Sequence, residues 1–466
     1  MSKMRKEKDS LGTIEIPAQA LYGAQTERAR RNYPISGRTA HPELIQAYLR
    51  LKSAAARANA ICKTLTPQQA RQIQKSTQIL LKMPVADWIH IFVVDPYQAG
   101  AGTSQNMNVN EVLANLTNRL AGKPLGANQP IHPNDHVNRS QSTNDTYPTA
   151  MRLAILQAAA ALKHELQALS RTFGTKSAAW MNLPKSARTH LQDAVPMSLG
   201  QEFGAYAGTL EKCAHWIESG CAELRILGLG GSAAGTGLTV PKGFAKAVIK
   251  ELSKMTGEPL RQAENLFEAM QSQAPISHYS SMLRLMALEL TRICNDLRLL
   301  ASGPQTGLAE ILLPSVQPGS SIMPGKVNPS MLEMANQTWF SVLGYDQTVS
   351  HCVQAGQLEL NVMMPMMAYS MLEATRVATR ALEALRTRCI EGLEPNRPRL
   401  RKYFESTPQI ATALSPTLGY EVTAALVKEA LATETSVVEL VRKRKLIAEK
   451  KLQSLLAPER VIFGKN

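Results

Sequence analysis

Gly319-Ser320-Ser321-Ile322-Met323-Pro324-Gly325-Lys326-Val327-Asn328-Pro329 decides how this 466-residue chain is read. It places two adjacent hydroxyls, a lysine and an asparagine among two glycines and two prolines. Glycine permits unusual dihedrals and proline denies a regular helix, so the stretch predicts a loop. Hydroxyls, a cation and an amide donor together suit a small carboxylate. A serine oxygen is a poor base in water; it becomes one only where a nearby ammonium and backbone N–H groups stabilise the alkoxide. A Ser-Ser pair or a loop lysine alone reads as solvated surface.

Outward from this loop the chain reads as long helices separated by short polar blocks. Ala- and Leu-rich helical patterns run over about 149–180, 196–227 and 276–303. Another runs from Ser330 to about Glu391, with Pro365 predicting a kink or break inside it. Gly392–Pro398 marks a boundary before a small, basic, helical C-terminal segment. Toward the N-terminus, Pro42 to about Met83 is helical with a break at Thr66-Pro67, an N-cap followed by a first-turn proline. Residues 1–40 show no helical period. The division expected is an N-terminal domain over 1–141, a central long-helix domain over 142–394 and a C-terminal domain over 395–466.

The polar blocks carry the chemistry. In Asp95-Pro96-Tyr97-Gln98-Ala99-Gly100-Ala101-Gly102-Thr103-Ser104, the glycines turn the chain and Thr103 stands where a helix begins. A helix N-terminus presents unpaired N–H groups and a positive dipole to an anion. Ser142, Thr143 and Asn144 likewise precede a helical pattern. Thr189 and His190 lie between two helices. His132 and His136 are four apart but lack an H-E-x-x-H frame, so a zinc site is rejected. Gly228–Gly237 looks like a dinucleotide loop, yet no strand is predicted before it, so it is read as a turn between helices.

Composition bounds the remaining choices. Hydrophobic residues are 44% and aromatics only 5%, so the core is built from aliphatic side chains, which favours an all-α fold. No run of about 18 apolar residues predicts a membrane span, and the charged start is not a secretory signal. Six scattered cysteines without C-x-x-C pairs read as reduced thiols of a cytoplasmic protein. The net charge of +15 is dispersed and no nucleic-acid-binding motif accompanies it, so attraction of anionic substrates is the preferred reading. Neutral donors with one cation, without metal ligands or a phosphate loop, fit a small dicarboxylate; neither metal nor cofactor is expected.

The string at 319–329 resembles the signature of the aspartase/fumarase superfamily. The blocks around Thr103, Ser142–Asp145 and Arg188-Thr189-His190-Leu191-Gln192-Asp193-Ala194 resemble its other shared regions, and Pro17–Arg28 its N-terminal motif. The resemblance implies a three-domain helical fold with a central five-helix bundle and a homotetramer whose active sites each draw on three chains. It implies anti elimination yielding fumarate through an aci-carboxylate, with Ser320 as base. Thr103, Ser142, Thr143 and Ser321 would then hold the carboxylate that gains charge; Thr189, Lys326 and Asn328 would grip the other, and Asn144 and His190 would contact the leaving group. His132 and Gly325 look fumarase-like. Asp95–Ser104, Leu191–Met197, Asn336-Gln337 and Gly356–Val362 lean to the branch that releases ammonia from L-aspartate, which is the reaction expected, with hydration of fumarate to L-malate second. A non-catalytic structural relative is the remote alternative, disfavoured by the presence of Ser320, Lys326 and His190.

Overall fold

The computed structural model describes residues 3–463. Helices dominate it and the sheets are small. Where no helical period is visible, strands β1 (Met4–Asp9) and β2 (Gly12–Pro17) form an antiparallel hairpin. Then come α1 (Ala24–Asn32), α2 (Pro42–Ile61), α3 (Pro67–Lys82), α4 (Thr103–Leu120) and α5 (Thr143–Ala179). A second hairpin, β3 (Pro184–Thr189) and β4 (Gln192–Ser198), leads into α6 (Leu199–Leu224). β5 (Ile226–Leu227), α7 (Phe244–Thr256), β6 (Arg261–Gln262) and α8 (Leu266–Gln271) precede α9 (Ala274–Leu300). After β7 (Ile311–Leu312) come α10 (Ser330–Gln354), α11 (Met364–Leu385) and β8 (Glu394–Pro395). The end of the chain holds α12 (Arg397–Ser406), α13 (Ala411–Leu418), α14 (Tyr420–Thr433), α15 (Val437–Lys443), α16 (Glu449–Leu455) and α17 (Pro458–Phe463).

Local chemistry sets the boundaries. Thr66 Oγ1 accepts the Gln69 N–H at 3.2 Å while Gln69 Oε1 accepts the Thr66 N–H at 3.0 Å, a reciprocal cap that starts α3 with Pro67 in its first turn. The predicted break at Pro365 is real. Nine residues separate the end of α10 from the start of α11, and the Asn361 amide donates to the carbonyls of Cys352 and Val353 at 3.0 and 3.1 Å, closing the end of α10. Pro365 falls in the first turn of α11, where its missing N–H has no intrahelical partner to lose. The helix expected from Thr149 begins six residues earlier, and Pro148 lies inside it at the loss of one backbone bond.

The chain divides into two compact units. One holds residues up to 163 with 215–285 and 340–378; the other holds 164–214, 286–339 and 379 onward. All four internal changes of unit before residue 379, and the one at 378/379, fall inside α5, α6, α9, α10 and α11.

In the first unit, α4 is buried over most of its length although it carries five asparagines. Their amides serve the surrounding loops. Asn108 donates to the Ile91 carbonyl, Asn115 to that of Leu21, and Asn118 exchanges two bonds with Ile131. Bonded in this way, the amide N–H groups fix loops where apolar side chains would only fill space. The segments of the long helices in this unit touch through Tyr279 and Thr375, whose hydroxyls are 3.0 Å apart, and through Ser280 and Asp346 at 2.6 Å.

In the second unit, Phe173, Trp180, Phe203 and Tyr206 form an aromatic cluster, with Trp180 and Phe203 edge-on at 4.8 Å. Such pairs contribute about 0.5–1.5 kcal/mol beyond their buried area. The terminal helices enclose their own apolar cluster, including Phe404, Ile410, Leu414, Leu426, Val441 and Leu452. Among the described residues no helix is long and apolar enough to cross a membrane. The six cysteines are free thiols, and burial pushes those of Cys213, Cys221, Cys294 and Cys389 up to about 12.

Candidate functional site

Four of the residues singled out by sequence meet in the first unit, at two helix N-termini. Thr103 is the first residue of α4 and is exposed. Before it, Gly102 adopts φ 81°, and a Cβ there would lie 1.8 Å from the Tyr147 ring of α5. Only glycine lets the two helix starts approach so closely. Asn106, one turn into α4, donates to Thr143 Oγ1 at 3.0 Å. Ser142 precedes α5, its Oγ accepting the Asn144 N–H at 3.2 Å, while Asp145 accepts the Ser142 N–H at 3.0 Å. Ser142, Thr143 and Asn144 are half-buried, so their hydroxyls and amide stand at a surface that two helix dipoles make attractive to an anion.

The glycine-rich loop supports this same group. Gly230 and Ser232 donate their N–H groups to Asp145 Oδ2 at 3.1 and 3.0 Å, and the Asn144 amide donates to the Ala233 carbonyl at 2.8 Å. The anion in this loop is therefore the chain's own Asp145 carboxylate, which accounts for the likeness to a phosphate cradle. A two-residue strand, β5, does precede the loop, contrary to expectation, and pairs in parallel with β6. No longer parallel sheet continues from it among the described residues.

Beneath the loop, periodicity left one group unremarked. Lys52 is wholly buried on the face of α2 that also carries Tyr48, Ala55 and Asn59. Its ammonium donates to Asn138 Oδ1 and Gln141 Oε1, both at 3.0 Å, in the segment that leads into Ser142. Burial pulls its pKa down to about 7, opposed by Asp145. Burial pushes Asp145 up to about 6, against the N–H groups of Ser142, Ser232 and Gly230 and the charge of Lys52. A lysine among the mostly apolar residues of this helix face was the available signal.

His132 and His136 serve the local turn. His136 Nδ1 accepts the His132 N–H at 2.8 Å, and His132 Nδ1 accepts those of Asn134 and Asp135 at 3.3 and 3.2 Å. Pro133 opens the short turn of π-helix that results.

The other six residues belong to the second unit. The loop at 319–329 closes on itself: the Gly319 N–H donates to the Lys326 carbonyl at 2.9 Å and the Asn328 amide to the Gly319 carbonyl at 2.8 Å. A Cβ on Gly319 would lie 2.4 Å from that Lys326 oxygen, so the closure requires glycine. Ser320 is half-buried, and its Oγ accepts the N–H groups of Ile322 and Met323 at 3.2 and 3.1 Å. Bonds of this kind favour the anionic form of the oxygen. Ser321 is exposed. Lys326, also exposed, makes no salt bridge among the described residues. An open cavity of ≈ 810 Å³ borders the loop, lined in part by Arg298, Ser302, Lys326, Asn328 and Glu333.

Thr189 and His190 are exposed at the tip of the β3–β4 hairpin, where His190 and Leu191 take φ 54° and 60°. Among the described residues no hydrogen bond joins this tip to the loop at 319–329. Thr103 and the Ser142–Asn144 group form one cluster; Ser320, Ser321, Lys326 and Asn328 form a second, and the hairpin tip stands as a third.

A family model described as Lyase matches residues 12–344, and one described as Fumarase C C-terminus matches residues 410–462. The chain is 43% identical to an aspartate ammonia-lyase of Pseudomonas aeruginosa, over 99% of this chain and 98% of that one. It is 39% identical to a class II fumarate hydratase of Parasynechococcus marenigrum, over 98% of this chain and 97% of the other. The crystal structure of a fumarate lyase:delta crystallin from Brucella melitensis superposes with a TM-score of 0.94 at 42% identity, covering 98% of this chain and 99% of that one.

Proposed function

The chain belongs to the aspartase and fumarase family of lyases, and from that premise we propose that it eliminates ammonia reversibly from L-aspartate to give fumarate. The observation that carries the reading is Ser320 Oγ accepting two backbone N–H groups in a loop whose lysine has no anionic partner among the described residues. A hydroxyl so placed is prepared to become an alkoxide, and an unpaired ammonium is available to a carboxylate substrate.

In the proposed reaction, the Ser320 alkoxide takes a proton from the substrate carbon next to one carboxylate and returns to the neutral hydroxyl. The C–H electrons move into that carboxylate as an aci-carboxylate dianion. They then return to form the carbon–carbon double bond as the C–N bond breaks and the amine leaves with its electron pair. The proton is weakly acidic, so stabilising the dianion is the main catalytic task. Thr103, Ser142, Thr143 and Ser321 are assigned to it, and the two helix N-termini favour the same charge. Thr189, Lys326 and Asn328 are assigned to the other carboxylate, Asn144 and His190 to the amine. The assignment requires the three clusters to converge in a homotetramer, each site drawing on three chains, with the cytoplasm as the place of action.

Release of water instead of ammonia is the second reading, favoured by His132, by Gly325 and by the likeness to a fumarate hydratase. Fumarate absorbance formed from L-aspartate and, separately, from L-malate tests the choice. Signal with aspartate is the expected result. Signal with malate alone transfers the reading to the hydratase.

A further inference from the structure

Behind the hairpin tip lies a buried ion network that the reaction as described does not use. Glu310 is fully buried. Its Oε1 accepts Arg188 Nη1 at 2.7 Å, and its Oε2 faces Lys185 Nζ at 2.8 Å. Lys185 is 2% exposed and also donates to Glu202 Oε2 of α6 at 2.7 Å. Two carboxylates and two cations thus balance, and the Arg188 guanidinium stacks 5.5 Å from the Tyr403 ring.

Both ends of this network border residues of the proposed site. Arg188 directly precedes Thr189 and His190. In a regular strand Lys185 and Arg188, three apart, point to opposite faces. The register of β3 on β4 shifts between Ser186 and Arg188, with the extra residue in β4, and beside this irregular pairing both side chains reach one carboxylate. On the other side, Glu310 directly precedes β7, after which the chain enters the loop that carries Ser320. Its backbone is fixed: its N–H donates to the Leu300 carbonyl at 2.8 Å, and its carbonyl accepts the Asn396 N–H at 2.9 Å.

We propose that Glu310 is a positioning residue, a buried brace that sets the Thr189–His190 tip against the root of the Ser320 loop through Arg188 and Lys185. The inference rests on the elimination reading for its catalytic consequence, not for its geometry. Buried ion pairs add little net stability compared with apolar packing of the same volume. What they supply here is direction, since a single buried carboxylate receives both Arg188 and Lys185. Misplacing catalytic groups by about 1 Å lowers a rate by roughly 10²-fold.

The test is Glu310→Gln, which keeps the shape and removes the charge. With L-aspartate, kcat falls about 10²-fold while KM stays within a few-fold, and aspartate deuterated at the proton-losing carbon shows a larger isotope effect than with wild type. A wild-type kcat and isotope effect overturn the proposal. Limited trypsinolysis after Lys326 reads the loop without catalysis: faster cleavage in Glu310→Gln supports the brace, and wild-type cleavage overturns it. If wild type converts neither aspartate nor malate, the elimination reading fails and the cleavage assay still decides the brace. Should Glu310→Gln not fold, Arg188→Lys takes its place. It keeps the charge but loses the planar fork, and unchanged kcat, isotope effect and cleavage overturn the proposal equally.

Discussion

Ser320 and Lys326 divide the proposed chemistry between a base and an anchor, and their variants separate accordingly. Ser320→Ala removes the group that accepts the substrate proton, so turnover falls by several orders of magnitude while the oligomer persists. Size-exclusion chromatography beside the fumarate assay checks both halves, and a near-normal rate removes Ser320 as base. Lys326→Ala takes away a cation that holds substrate and transition state alike. KM rises steeply with a smaller effect on kcat, and steady-state kinetics in which KM does not move contradict the role.

At the same scale, Lys52 gives stability a dependence on pH whose sign is fixed. Its pKa in the folded protein, about 7, lies below the ordinary 10.5 of the unfolded chain. Unfolding therefore takes up a proton between those values, and the native state gains stability as pH climbs from about 7 to 10.5. Asp145 acts oppositely: its pKa rises from 3.8 to about 6, so its contribution is lost as pH rises through that window. Denaturant unfolding of wild type against Lys52→Met moves in favour of wild type between pH 7 and pH 10. A flat difference means that Lys52 does not titrate as described.

Among the elements, the 319–329 loop is held by one close approach. Gly319→Ala places a methyl carbon 2.4 Å from the Lys326 carbonyl oxygen, a backbone atom that cannot swing aside. The closure opens and the Ser320 oxygen loses its register with Ile322 and Met323, lowering kcat by at least about tenfold. Circular dichroism stays unchanged because the long helices are untouched. Wild-type kinetics in Gly319→Ala show that the closure is dispensable.

The elements also show what could be read from residues alone. The caps at Thr66, the break near Pro365 and the start of α4 at Thr103 were legible because each is a local event with its own residue type. The β1–β2 hairpin leaves no mark in a helical period, because Met4–Asp9 and Gly12–Pro17 pair across a turn. The glycine-rich loop donates to Asp145, which lies 85 residues away from Gly230. Sequence spacing carries no trace of such a partner. Lys52 and Glu310 escaped for a related reason: a charge within an apolar pattern announces that it needs partners without saying which.

For the molecule as a whole, the proposed tetramer makes each active site a joint product of several chains. Mixed oligomers test this. Ser320→Ala and Ser142→Ala, which fall in clusters of different units, are each expected to be close to inactive from the roles proposed for these hydroxyls. Co-refolding them gives hybrids in which some sites receive neither substitution, and measurable activity returns. If hybrids form and remain inactive, sites are not shared in this way. The family is legible in short blocks; the convergence of those blocks is not, because a sequence describes one copy.

Every change of unit along the chain up to α12 falls inside a helix: α5, α6, α9, α10 or α11. The two units therefore have no connecting tether that a crossover between related genes could exchange. Transplanting either unit whole would need five simultaneous cuts, each through helical turns whose hydrogen bonds and apolar face must match on both sides. Such a chain is inherited as one piece. Diversity within the family is then expected to accumulate by point substitution in the short polar blocks and at the ends, not by shuffling of parts.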